Sequence, residues 1–216
     1  MKTRINSFLA LLACTALSFG CHSNDVPAGS PESSEHAVSE HAETEAPEMT
    51  EEAMMEMMMK MGAPGPEHEL LATMAGEWNA KSKMSMSPDA PATETDSTSS
   101  NKMILGGRYL QCDYQGLFMG QPYHGMGLIG FDNTTQQYQL IWIDNSGTTM
   151  TNPLAGTYDE STKQLTVSGS TDNPMYGTMT MREVFTLHGP DSHSFEMFMD
   201  MGAGETSSMT IDYTRK

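Results

Sequence analysis

The chain has 216 residues, with 28 Asp and Glu against 11 Lys and Arg and a net charge of −17. A chain this acidic has no basic stripe to neutralise nucleic-acid phosphates, and anionic lipid headgroups repel it. Its 38 % hydrophobic content supports one folded domain, which the sequence places at residues 66–216; about 150 residues is a common domain size.

Met1-Lys2-Thr3-Arg4 sets two positive charges before an apolar run from Phe8 to Phe19, followed by Gly20 and Cys21. A run of about twelve residues falls short of the ~20 that cross a bilayer, and the pattern predicts a secretory leader over residues 1–20. Leu17-Ser18-Phe19-Gly20-Cys21 resembles a bacterial lipoprotein signal, with Ser18 where Leu is usual. That resemblance implies a lipid on Cys21 and an exported protein, anchored on the periplasmic or cell-surface face of a bacterial membrane. Loss of Lys2 and Arg4 with the leader takes the net charge from −17 to −19. Cys112 is then the sole thiol left without a lipid, so no intramolecular disulfide is expected. Sharing a strand face with Leu110 and Tyr114, it reads as a small core residue.

Residues 21–48 are rich in Ser, Glu, His, Ala and Pro, with Val26 and Val38 as the bulky aliphatics. Such a composition predicts an acidic, disordered tether. Residues 49–65 hold seven methionines and a Pro/Gly hinge, Gly62-Ala63-Pro64-Gly65. Strong helix formers follow Thr50, which is placed to cap a short helix. A second helix starts at Pro66 and ends near Gly76, with Leu70, Leu71 and Met74 facing the domain and His68 facing water.

From Gly76 the hydrophobic period becomes two, as Trp78, Ala80, Ser82, Met84 and Met86 alternate with polar residues. Further strands are expected near 93–105, 108–117, 123–132, 138–145, 149–158, 165–170, 178–187, 194–201 and 208–214. Asp132 and Asp159 open polar turns of hairpin type. The prediction is an all-β domain: an antiparallel meander of about ten strands, preceded by one or two short helices and closing into a barrel.

Pro64-Gly65-Pro66-Glu67-His68, Gly76-Glu77-Trp78, the run from Met103 to Leu110 (Met-Ile-Leu-Gly-Gly-Arg-Tyr-Leu), Gly125-Met126-Gly127-Leu128-Ile129-Gly130-Phe131-Asp132-Asn133, Trp142-Ile143-Asp144 and Tyr213-Thr214-Arg215-Lys216 resemble DUF1579, a bacterial domain family of unknown function. The resemblance spans residues 66–216 and implies a domain, not a reaction. A looser resemblance is to lipocalin-like barrels, which open on Gly-x-Trp and close on a basic residue. It implies that Trp78 and Arg215 meet as structural closure, the cation over the indole face.

Barrels of this size enclose a small ligand. Arg108, Tyr114, Met126 and Trp142 are the wall residues the sequence suggests, with Arg108 as an anchor at the barrel mouth or the partner of Asp113 or Asp132. Asp113, Asp144, Glu183, Glu196 and His124 lie on or near strands whose inward faces the sequence does not reveal. His188 and His193 read as turn or strand-start residues. No Gly-x-Ser-x-Gly, His-Glu-x-x-His or phosphate loop is present, and Gly125-x-Gly127-x-x-Gly130 falls inside a strand, so the reading leans away from an enzyme. Met55, Met58, Met59 and Met61 offer soft thioethers to Cu(I) as an alternative cofactor, or a flexible face for a protein partner. The leading expectation is an exported lipoprotein that binds a small, partly apolar molecule.

Overall fold

The computed structural model describes residues 49–85, 91–173 and 177–216. The expected leader, Cys21 and the acidic stretch up to residue 48 lie outside the described residues.

Thr50 caps α1 (Glu51–Met61), its hydroxyl accepting from the Ala53 amide at 3.2 Å, with Glu51 and Glu52 in the positive first turn and Lys60 in the last. Gly62 ends the helix. Asn133 donates to the Met61 and Ala63 carbonyls at 2.7 and 2.9 Å, tying this hinge to a hairpin turn. α2 (Pro66–Thr73) starts on Pro, whose missing N–H is no loss in a first turn. His68 is buried, contrary to the sequence expectation. Its Nδ1 accepts from the Gly65 amide at 3.0 Å, which folds the ring back over the helix start and edge-on to Phe131.

Ten strands follow: β1 (Gly76–Met84), β2 (Thr93–Ile104), β3 (Tyr109–Phe118), β4 (Gln121–Asp132), β5 (Gln137–Asp144), β6 (Leu154–Asp159), β7 (Gln164–Asn173), β8 (Gly177–Gly189), β9 (Ser192–Asp200) and β10 (Thr206–Arg215). Each pairs antiparallel with its sequence neighbours, and β1 pairs with β10 as well as β2, so the meander closes into a barrel. Closure removes the unpaired edges a sheet this size would otherwise expose. The seam between β5 and β6 is the exception in length: three residue pairs join them, against ten between β3 and β4. β6 starts at Leu154, later than its expected 149, because Pro153 has no N–H to give a ladder. Thr151 extends the seam instead, its hydroxyl accepting from the Trp142 amide at 2.7 Å and its amide donating to the Trp142 carbonyl at 3.1 Å.

One end of the barrel is plugged. Leu71 and Met74 of the α2 segment pack into Leu110, Ile129, Tyr138, Leu140, Leu154, Leu165 and Val167. Each such side chain, fully buried, stabilises by about 1.5–3 kcal/mol. Beside this plug the indole Nε1 of Trp78 and the amide of Asn101 both donate to the Met74 carbonyl, at 3.0 and 3.1 Å. Arg215 then binds the assembly from outside. Its guanidinium lies 4.2 Å from the centre of the Trp78 ring and donates to the carbonyls of Ala75 (3.0 Å), Thr73 (3.4 Å) and Pro190 (2.6 and 2.9 Å). The cation thus satisfies the last carbonyls of α2 while seating β10 against β1. Gly76, with φ of +137°, leaves the space: a Cβ there would lie 2.2 Å from Arg215 Nη1. Replacing Arg215 with Ala removes the cation–π contact and these charged hydrogen bonds together. Chemical denaturation of R215A is expected to show a loss of about 2–4 kcal/mol, with R215K recovering only part of it.

Candidate functional site

Above the plug the barrel is not filled. A cavity of about 310 Å³ runs toward the end opposite α2, lined by alternate residues of every strand except β6 and β7. This is the lower end of the size range of small-molecule sites. Its wall includes the aromatic rings of Tyr114, Tyr123, Trp142, Phe185, Phe195 and Tyr213 and the thioethers of Met84, Met181, Met197 and Met209.

Trp142 is set by its neighbours across the ladder. A Cβ on Gly125 would lie 2.2 Å from the indole, and one on Gly127 would lie 2.9 Å away, so β4 is bare where the ring lies flat against it. Gly125 and Gly127 of the dinucleotide-like spacing thus serve as the bed of the Trp142 ring, while Gly130 lies under Tyr109. The indole Nε1 donates to the Tyr123 hydroxyl at 2.9 Å and to Asp144 Oδ2 at 3.1 Å, and the Tyr123 hydroxyl donates to the same carboxylate at 3.2 Å. Burial opposes ionisation of Asp144, but the hydrogen bonds from Ser146, Tyr123 and Trp142 outweigh it and hold its pKa below the ordinary value. Asp144 is therefore a fixed anion at neutral pH.

Glu183 is the opposite case. It lies on the inward face of β8 between Val167 and Met197, is 7 % exposed, and lines the cavity. Its carboxyl makes no hydrogen bond or ion pair with any described residue, and desolvation alone raises its pKa to about 7. Cys112, on the inward face of β3, is pushed up to about 12 by burial, so it is a neutral thiol and a poor nucleophile. His193 is buried in the floor, edge-on to Trp78 and stacked on Tyr213, both at 4.4 Å between ring centres. It is a packing residue rather than a turn residue. Desolvation, and then the Arg215 charge, lower its pKa to about 4 and keep it neutral.

Of the wall residues suggested by the sequence, Tyr114 and Trp142 line the cavity and two others do not. Met126 has the wrong parity: β4 turns Tyr123, Gly127 and Ile129 inward, which points Met126 out. Arg108 sits in the exposed β2–β3 turn at the plugged end, far along the strands from any mouth, and donates to the Leu105 carbonyl at 3.2 Å. It borders an external groove with Tyr109, Phe131 and Asp132. Neither acid proposed for it is its ion-pair partner: Asp113 Oδ1 lies 2.9 Å from His124 Nε2 on the outer wall, and Asp132 accepts from Thr134 and Thr135. Glu196 is also outside, accepting from Ser207 at 2.8 Å. Met55, Met58, Met59 and Met61 are exposed along α1, which buries none of its residues. Among the described residues no group of three or more His, Cys, Asp or Glu is placed to hold a metal ion.

Fold and cavity together define a closed up-and-down β-barrel with a small-molecule-sized interior. Residues 63–215 match the family described as protein of unknown function (DUF1579), and the chain belongs to that family. No curated protein matches the chain. Among solved structures it is similar to Rv2717c from M. tuberculosis, with 17 % identity and a TM-score of 0.54 over 71 % of this chain and 99 % of that one. Two designed proteins also match: a de novo fluorescence-activating β-barrel, with 12 % identity, TM-score 0.39 and coverage of 68 % and 96 %, and a redesigned β-barrel with 16 %, 0.36, 68 % and 95 %. At such identities, the likeness to Rv2717c speaks for the fold alone.

The Glu183 environment has a consequence for stability. Its carboxyl holds a proton in the folded state up to about pH 7, whereas the unfolded chain releases it near 4.5. Stability should therefore fall as pH rises through that window, by roughly 2–3 kcal/mol. Glu183→Gln is expected to be the more stable protein at pH 8 and to lose this part of the slope, measured by denaturant midpoints from pH 5 to 8. Equal slopes for the two proteins would contradict the assignment.

Proposed function

We propose that this protein is an exported, lipid-anchored carrier that holds a small, partly apolar molecule inside the barrel. The observation that carries the reading is the cavity of about 310 Å³, walled by aromatic and Met side chains and sealed at one end by α2. A barrel interior built only for stability would be packed solid. Few polar groups converge inside, which is the pattern of a site that orients an apolar guest. Export and anchoring rest on the charged and apolar run of residues 1–20 and on Cys21.

Native mass spectrometry of the protein, isolated gently from its own cells, tests both parts. The expected spectrum shows a chain beginning at an acylated Cys21 and a non-covalent adduct that is lost on denaturation. A bare barrel that also fails to brighten the neutral dye N-phenyl-1-naphthylamine would defeat the carrier reading.

A second reading attaches to α1. Met54, Met55, Met57, Met58, Met59 and Met61 are 45–70 % exposed, and nothing in the helix is buried. Flexible thioether side chains suit an adaptable protein interface, and Cu(I) is their alternative ligand. Deletion of residues 49–61 is then expected to abolish co-purification of the partner, or Cu(I) uptake, while the barrel still folds.

A further inference from the structure

The carrier reading leaves open what kind of molecule the cavity takes, and the polar groups inside it narrow the choice. The lining includes two carboxyl groups, Glu183 and Asp144, and among the described residues no Lys or Arg. Its one imidazole, His193, is stacked into the floor on Tyr213 and Trp78. Asp144 is already satisfied, with Tyr123, Trp142 and Ser146 donating to its two oxygens. Glu183 is not: it is only 7 % exposed and faces the cavity with no partner among the described residues. A carboxyl buried without a partner is costly, and it persists where something absent from the free protein completes it.

The remainder of the wall says what would complete it. Tyr114, Tyr123 and Trp142 on one side, and Phe185, Phe195 and Tyr213 around β8 to β10, present ring surfaces to the same space. Aromatic faces attract a desolvated cation, and so do the polarisable thioethers of Met181 and Met197 beside Glu183. An anionic guest would meet two carboxyls and no counter-charge, inside a chain whose net charge is already −17.

Building on the carrier reading, we infer that the barrel's guest is an organic cation, an amine or quaternary ammonium with an apolar body, whose positive head pairs with the Glu183 carboxylate inside the aromatic wall. Glu183 is the binding counter-ion, and the rings supply contact area and cation–π attraction. The free carboxyl holds a proton near neutral pH and releases it to solvent as the cation enters; no covalent bond is made.

The test uses one apolar body with three heads: 3-phenylpropyltrimethylammonium, 3-phenylpropanol and 3-phenylpropanoate, titrated calorimetrically into the full-length protein at pH 8. The cation is expected to bind at least tenfold more tightly than the alcohol, and the carboxylate not at all. Glu183→Gln is expected to erase the preference for the cation while leaving alcohol binding in place. A second measurement needs no variant. In the wild type, cation affinity should fall by up to tenfold per unit as pH drops below about 7, with alcohol affinity flat. The other ionisable groups facing this space are Asp144, His193, Cys112, Tyr114, Tyr123 and Tyr213. Across that range Asp144 stays ionised, while burial keeps His193, Cys112, Tyr123 and Tyr213 neutral. If the alcohol binds as tightly as the cation, or the carboxylate binds best, the carrier reading stands and the cationic assignment falls. If none of the three binds, the assignment falls together with the carrier reading.

Discussion

A meander becomes a barrel only if its first and last strands find each other, and here the seven-pair ladder between β1 and β10 is clamped at its floor end by one side chain. Arg215 covers the Trp78 ring from outside while its guanidinium gathers the carbonyls of Thr73, Ala75 and Pro190. The helix end, the opening strand, the closing strand and the β8–β9 turn are thereby fixed to one planar cation. A guanidinium is suited to this because its five donors lie in one plane, whose faces remain free to stack. A Lys ammonium offers the charge without the plane. Along each ladder the register is held by parity, because strand pairing by twos admits no drift without exchanging inside for outside.

With the floor fixed, the interior divides along the strands. Near α2 Leu, Ile and Val predominate beside Tyr138 and pack; toward the other end Tyr, Trp, Phe and Met line the open space. The change follows from shape. Branched aliphatics interlock at short range, whereas large rings held by their own hydrogen bonds, such as Trp142 on the bare stretch of β4, stand as walls and do not collapse inward. A carboxyl placed on that wall stays solvated only by what enters. Stability and binding are in this sense opposed at Glu183, where an apolar residue of like volume would hold the barrel together better.

Much of the architecture is legible in the sequence because the relevant signals are local. Period-two alternation from Gly76 onward, Asp-led turns at Asp132 and Asp159, and too many strands for an open sheet lead to a closed barrel without reference to three dimensions. The interior is less legible, and the reason is parity. One slip of register turns Met126 from wall to surface, and the direction of β2 puts the tight turn carrying Arg108 at the plugged end of the molecule. His68 escapes the pattern for another reason: its burial depends on a backbone contact to Gly65 that no periodicity encodes. Glu183 does carry a signal. Met179, Met181, Phe185 and Leu187 are apolar at every second position of β8, and Glu183 interrupts them, which marks an acid facing inward.

The short join between β5 and β6 gives the ring a property its other seams do not share. The other nine are longer laps; this one holds by three residue pairs and the clasp of Thr151 on Trp142. A hoop loaded from within yields at its shortest lap, and this lap borders Trp142, part of the cavity's own lining. Its three pairs end at Leu140 and Leu154 in the plug, so above them the wall between β5 and β6 is closed by the Thr151 clasp on Trp142 and not by a ladder.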